Sequence, residues 1–158
     1  MRRVSLLGVG AGGIIDIVAT NVVSFPVLVY AAIKVDMTRL PQEQQVAALV
    51  DYMQSHSYLF IISMVLGSLC SVLGGYVAAL IARHDDALNG ALAAFLGVTF
   101  GLVSLGSNEN TLPVWVHTAF VPFSLALGAL GGVIRRAQRE RKSLQAAAGS
   151  AGSPAGER

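Results

Sequence analysis

The sequence predicts an all-α integral membrane protein: a bundle of four transmembrane helices with one additional amphipathic helix in the first outer loop. Composition is the first of three observations behind this prediction. Of 158 residues, 54% are hydrophobic and 13% are charged, whereas an ordinary soluble domain has roughly 25% charged residues. The second is that four apolar segments each reach the ~20 residues that cross a hydrocarbon core. The third is that most cationic residues fall on one side of these segments.

The four apolar segments differ in length but share a near absence of charge. They are expected as helices at about 4–33, 59–82, 87–106 and 113–134. The last three contain no Asp, Glu, Lys or Arg, and the first contains only Asp16. The first is longer than a hydrocarbon core requires, so it must tilt, kink or project, and Pro26 is the expected kink site. The short connections between the last three segments make consecutive helices antiparallel neighbours.

The loop after the first segment has the spacing of an amphipathic helix at about 41–55. Val46, Leu49, Val50 and Met53 follow the i, i+3, i+4, i+7 pattern. Polar side chains fill most of the remaining positions. This helix is predicted to lie in the head-group region or to cap the bundle, with a lid over a ligand as a third possibility.

The cationic residues are distributed unevenly along the chain. Nine of the eleven lie on the side of the chain termini: Arg2, Arg3, Arg83, Arg135, Arg136, Arg139, Arg141, Lys142 and Arg158. Only Lys34 and Arg39 lie on the other side. The positive-inside bias therefore predicts cytoplasmic N- and C-termini. The basic stretch 134–142 is expected to fix this topology, with recognition of anionic lipid as the alternative, and nucleic acid is not an expected partner.

The chain is predicted to form a single transmembrane domain over residues 1–142, followed by a cytoplasmic tail. Residues 143–158 are rich in Gly, Ala and Ser and have little apolar surface to bury. Such a composition is typical of disorder.

The glycines of residues 8–13 match the G-x-G-x-x-G pattern of dinucleotide-binding proteins. That pattern needs a preceding strand and a soluble parallel α/β unit, whereas here it begins a segment that spans a bilayer. We therefore expect no nucleotide and no other cofactor. Small residues recur at every fourth position of all four segments, which favours close helix packing in lipid. The glycines predicted to make these contacts are Gly8, Gly12, Gly67, Gly75, Gly97, Gly101, Gly128 and Gly132.

Asp16 is the residue least expected in its surroundings, because an Asp at the centre of a transmembrane helix costs about 2.5–3.5 kcal/mol on insertion scales. It shares a helical face with the small residues, so we expect it to point into the bundle. Antiparallel threading brings Ser71 and Tyr76 to its level, and Thr20 lies one turn away. Three interpretations remain open: a neutral acid hydrogen-bonded within the bundle, a group that couples proton or cation movement, or a contact at an edge or in an oligomer.

A second polar group is expected on the outer side, formed by His56, Glu109 and His117. Two His and one Glu are possible ligands of a divalent metal, but they come from separate segments. A solvated turn is the preferred interpretation, and no metal is expected. Because the sequence contains no nucleophile elbow, catalytic carboxylate pair or phosphate loop, we do not expect an enzyme.

The stretch LGGYVAALIARHDDALNGALAAF (73–95) resembles a family of small bacterial four-helix inner-membrane proteins with a GGYVAA-type second helix. The resemblance implies a multi-pass inner-membrane location and brings no activity or functional residue. The sequence therefore favours a packing or accessory function, with the lipid bilayer, a second copy or another membrane protein as partner. The alternative is a small proton-coupled transporter or channel that uses Asp16.

Overall fold

The computed structural model describes residues 4–105 and 114–151, with side chains described for 4–101 and 119–147. Within these ranges the protein is all-helical and contains no strand, so the predicted all-α class is confirmed. A short 3-10 turn, Met37–Arg39, separates the first two of five α-helices. The helices are α1 (Leu6–Val35), α2 (Gln42–Ser55), α3 (Ser57–Ala82), α4 (Asp86–Leu105) and α5 (Val114–Ala151).

Three helices are long and apolar enough to cross a membrane: α1, α3 and, over Ala119–Ala147, α5. Helix α4 has a shorter apolar stretch, Asp86–Gly101, within the described residues. Large apolar side chains cover the outer surfaces, with Leu6 84% and Leu69 61% exposed. Soluble monomers rarely expose so much apolar surface, and helices satisfy their own backbone groups in hydrocarbon. These features indicate a membrane protein.

The ends of α1 are fixed by local hydrogen bonds. At its start, the Ser5 hydroxyl accepts a hydrogen bond from the Gly8 backbone N–H at 3.1 Å, which satisfies a free helix donor. At its end, Asp36 adopts the left-handed conformation with φ 52° and pairs with Arg39 at 2.7 Å. The helix continues through Pro26, and α5 likewise continues through Pro122.

Consecutive long helices run antiparallel to each other, so α1 and α4 run parallel, as do α3 and α5. Helix α1 contacts α3 and α4, and α3 and α4 both contact α5. One end of the molecule, here called the turn end, carries Ser5, the α3–α4 turn and Arg139. The opposite end, the α2 end, carries the 3-10 turn and α2. The buried apolar core lies towards the turn end and consists mainly of Val9, Ala78, Ala79, Ala82, Ala93 and Ala94.

Helix α2 coincides with the amphipathic helix predicted at 41–55. It contacts α1 and α3, although none of its residues, all of which are described, is buried. The Gln45 side-chain amide donates to the Met37 and Leu40 carbonyls at 3.2 and 3.1 Å, which attaches α2 to the preceding turn.

Helix α5 is longer than the sequence predicted. It continues to Ala151, so residues 143–151 are helical and not disordered as expected. The correction has a simple cause: alanine has the highest helix propensity, and extending an existing helix avoids the cost of nucleation. The rest of the predicted tail, 152–158, lies outside the described residues.

Candidate functional site

The site begins where the close packing of the turn end stops. There α1 and α3 touch backbone to backbone. A Cβ placed on Gly8 would lie 2.8 Å from the Ala78 carbonyl oxygen, and one on Gly12 would lie 2.6 Å from the Gly74 carbonyl oxygen. These two positions therefore have no room for a side chain, as expected for helices that associate through small residues.

Helices α3, α4 and α5 meet in the same way around Gly128. Its carbonyl oxygen lies where a Cβ on Gly75 or on Gly90 would have to stand. One turn further on, the Asp86 carbonyl blocks the corresponding position at Gly132. The turn end is therefore closed by peptide groups in direct contact.

The structure describes no packing contact at Gly67 or Gly101, where the sequence predicted one. No described atom lies within 4 Å of a Cβ placed on either residue. The helices diverge from the level of Asp16 towards the α2 end, so the same rows of small residues stop touching. Both glycines line a cavity of about 410 Å³ instead.

This cavity opens among α1, α3, α4 and α5, and α2 contributes Met53 to its lining. The lining is largely apolar and includes the aromatic rings of Phe60, Phe100, Phe120 and Phe123. Its polar side chains are Asp16, Thr20, Asn21, Ser63, Ser68, Ser71 and Ser124. An apolar cavity of this size with a few polar groups is typical of a small-molecule site.

Asp16 lies at the boundary between the closed turn end and the cavity, with only 4% of its surface exposed. The Ser71 hydroxyl donates to it from 3.3 Å to each carboxylate oxygen, and the Thr20 hydroxyl lies 3.5 Å from Oδ1. Ordinary O–H···O hydrogen bonds measure about 2.5–3.0 Å. These contacts are longer than that, and both come from neutral hydroxyl groups.

Glycine on the neighbouring helix makes room for the Asp16 carboxyl group. A Cβ placed on Gly97 would lie 2.5 Å from Asp16 Oδ2. Gly97 therefore contacts a side chain, whereas Gly8 and Gly12 contact backbone. Any larger residue at position 97 would have to displace the carboxyl group.

Asp16 has no counter-ion in the part of the chain that the structure describes. The ion pairs found there join Asp36 to Arg39, Glu140 to Arg136, and Asp86 to Arg139. All three lie at the ends of the helices. A carboxyl group within a membrane span and without a paired cation is unusual, and such residues generally face a cavity or a transport path.

The structure brings together Asp16, Thr20 and Ser71 of the predicted intramembrane group, but it places Tyr76 elsewhere. The Tyr76 hydroxyl donates to Gln138 Oε1 at 2.8 Å, on α5. Five residues separate Ser71 from Tyr76, which corresponds to about 140° of rotation around a helix. The two side chains therefore cannot both face Asp16, and the expected Tyr76–Asp16 contact is wrong.

Sequence reasoning missed a polar cluster at the turn end. Asn89 is fully buried, accepts from the Ser5 backbone N–H at 2.8 Å and donates to the His84 carbonyl at 2.8 Å. Asp86, also buried, pairs with Arg139 at 2.9 Å. The available signal was Asn89 itself, the only side-chain amide in the apolar run 87–106. The cluster connects the start of α1, the α3–α4 turn and α5.

The outer polar group is described only at His56. Its Nδ1 lies 2.9 Å from the Tyr52 carbonyl oxygen, and its ring stacks on Tyr52 at 4.1 Å, so it forms the joint between α2 and α3. Glu109 and the His117 side chain lie outside the described residues. Among the residues that are described, no three His, Cys, Asp or Glu side chains lie close enough together to hold a metal ion.

Comparison with known proteins adds no residue to this site. The chain matches no protein-family model, no curated protein sequence and no solved structure. The functional conclusion therefore depends on the geometry of Asp16 and its cavity.

Proposed function

We propose that this chain is a multi-pass protein of the bacterial inner membrane, a bundle of α1, α3, α4 and α5 with α2 on the outer face and both termini in the cytoplasm. The position of nine of eleven cationic residues supports this orientation. Helix α4 has 20 residues, and at 1.5 Å per residue it measures about 30 Å, the thickness of a hydrocarbon core.

We further propose that the protein is a small proton-coupled transporter. The observation that carries this proposal is a buried carboxyl group without a described counter-ion at the inner end of a cavity of about 410 Å³. In hydrocarbon a bare carboxylate is costly, so the group is neutralised either by a proton or by a bound cation. Exchange between these two partners at Asp16 couples proton movement to solute movement.

The packing or accessory function favoured by the sequence has less support. It depends on the small-residue rows, which could bind a second copy only if one of them faced outward. Gly75 and Gly128 contact each other, and Gly67 and Gly101 face the cavity.

The test is proton movement in reconstituted vesicles that carry an internal pH dye. The vesicles are loaded with the monovalent cation tetraethylammonium, whose outward gradient drives proton uptake by exchange at Asp16, and the initial rate of internal acidification is measured. For Asp16→Asn we expect the rate of protein-free vesicles, since the amide cannot take up a proton. The matched control is Asp36→Asn, which changes an exposed carboxylate at the end of the same helix and should keep the wild-type rate.

Equal rates for wild type and Asp16→Asn would overturn the proposal and leave the accessory function as the better explanation. Loss of rate in both variants would also count against it, because the effect would then not depend on the buried carboxyl group. Unfolding profiles of the three proteins in detergent establish that each is folded before reconstitution.

A further inference from the structure

A second depression lies on the outside of the molecule, next to the acidic cavity. It has a volume of about 380 Å³, lies between α3 and α5, and is lined by Ile61, Met64, Val65, Ser68, Leu69, Val72, Phe123, Leu127 and Leu130. Four of these residues also line the acidic cavity: Met64, Ser68, Phe123 and Leu127. We refer to these four as the portal, because they are the side chains shared by the outer groove and the cavity.

The outer groove faces the surroundings of the helices. Its α3 residues Ile61, Val65 and Leu69 are 58%, 53% and 61% exposed. With Val72 they form a stripe along one side of α3, about 16 Å long at 1.5 Å per residue. In a helix that crosses a membrane, such a stripe runs roughly parallel to the lipid chains. A hydrocarbon chain lying in the groove therefore stays in surroundings like those of the bilayer.

The charge of the cavity indicates which head group a ligand with such a hydrocarbon chain would carry. Asp16 is a single carboxyl group, so one positive charge neutralises it. Its neighbours Ser71 and Thr20 offer hydroxyl oxygens that accept N–H hydrogen bonds. An anionic head group would instead place like charges together in a low dielectric.

We propose that the substrate is an amphiphile from the bilayer, a single-chain amine whose ammonium group binds Asp16. Its hydrocarbon chain passes through the portal and lies in the groove between α3 and α5. The inference rests on the proposed function, because it takes the acidic cavity as the transport site. It adds the chemical class of the substrate and a lateral route from the lipid.

The probe is dodecylamine with a photoreactive diazirine in its chain, added to the protein in lipid nanodiscs. After illumination, mass spectrometry locates the labelled residues. We expect labelling of Ile61, Val65, Leu69 and Val72 on α3 and of the facing α5 residues. Asp16→Asn should lower it about thirtyfold, which corresponds to the lower end of the cost of truncating one partner of a buried charge pair. Labelling by the matching dodecyl sulfate probe should be weak and unchanged by this substitution.

The route is tested separately at Ser68, the smallest portal residue. Ser68→Phe narrows the portal and should lower dodecylamine labelling about as much as Asp16→Asn. The control is Leu73→Phe, which adds a ring to the same helix at a residue 48% exposed and outside both depressions. It should label like wild type. Asp16→Glu, which keeps the charge, should label more strongly than Asp16→Asn and guards against a folding defect.

Labelling that is the same in Asp16→Asn and wild type would overturn the proposal, because the groove would then hold ordinary lipid chains only. Unchanged labelling in Ser68→Phe would overturn the lateral route. If Asp16→Asn abolishes proton uptake but does not affect labelling, the transporter proposal stands and the amine class fails.

Discussion

Glycine is found at both ends of this molecule, but it allows close helix packing at the turn end and lines an open cavity at the α2 end. At the turn end, Gly8, Gly12 and Gly128 bring helix backbones into contact. At the α2 end, Gly67 and Gly101, which belong to small-residue rows on α3 and α4, line an open cavity. A small residue therefore specifies only that a side chain is missing. Whether the space is filled by a neighbouring backbone or left for a ligand depends on where the helices diverge.

The largest expected effect compares one glycine from each end. Gly128→Ala places a methyl group against the Gly90 carbonyl and the Ala94 side chain, and a backbone cannot yield easily. We expect a loss of about 3 kcal/mol or more, at the upper end of overpacking effects. Gly101→Ala meets no described atom within 4 Å and should gain about 0.5–1 kcal/mol from helix propensity. Reversible unfolding in mixed micelles measures both, and similar losses would contradict the comparison.

A smaller effect is expected from the polar cluster that closes the turn end. Arg139→Ala leaves the Asp86 side chain, which is fully buried, without its ion-pair partner. Breaking buried pairs costs about 3–5 kcal/mol, and we expect about 2 kcal/mol because Arg139 is half-exposed. The control is Arg136→Ala, whose partner Glu140 is exposed, with an expected cost below about 0.5 kcal/mol. Equal losses in the same unfolding assay would show that the turn end is not held by this pair.

The smallest effect on stability, and a large one on function, is expected at the boundary between the two ends. Gly97→Ala places a methyl group against the Asp16 carboxyl group, which is able to rotate away. We expect a stability change within about 1 kcal/mol and a clear fall in proton uptake, because the carboxyl group loses its position. Gly10→Ala, which meets no described atom within 4 Å and lies outside the cavity lining, should leave proton uptake unchanged. If Gly97→Ala takes up protons at the wild-type rate, Gly97 does not position the Asp16 carboxyl group.

The helices themselves were predictable from the sequence, because apolar runs of membrane-spanning length leave few alternatives. Asp16 was also identified from the sequence, because it is the only charged residue in the first of these runs. Its neighbours were harder to predict. Threading two antiparallel helices estimates depth correctly, which led to Ser71, but rotation about the helix axis decides between Ser71 and Tyr76.

Two features depended on information that the sequence does not contain. The divergence of the helices depends on their crossing angles, so identical small-residue spacing predicted contacts for Gly67 and Gly101 that are not found among the described residues. The Asp86–Arg139 pair joins residues 53 positions apart, each near a helix end where charge is ordinary.

The helical extension of 143–151 was not predicted, because the composition of this segment is also typical of a disordered tail.

The unbroken length of α5 has a consequence for the surface of the molecule. Its 38 residues measure about 57 Å, nearly twice the thickness of a hydrocarbon core. A single helix, with Pro122 in its interior, therefore runs from the α2 end to well past the turn end. Residues 136–147 are all exposed, so this part of α5 enlarges the surface of the turn end without adding to the packing of the bundle.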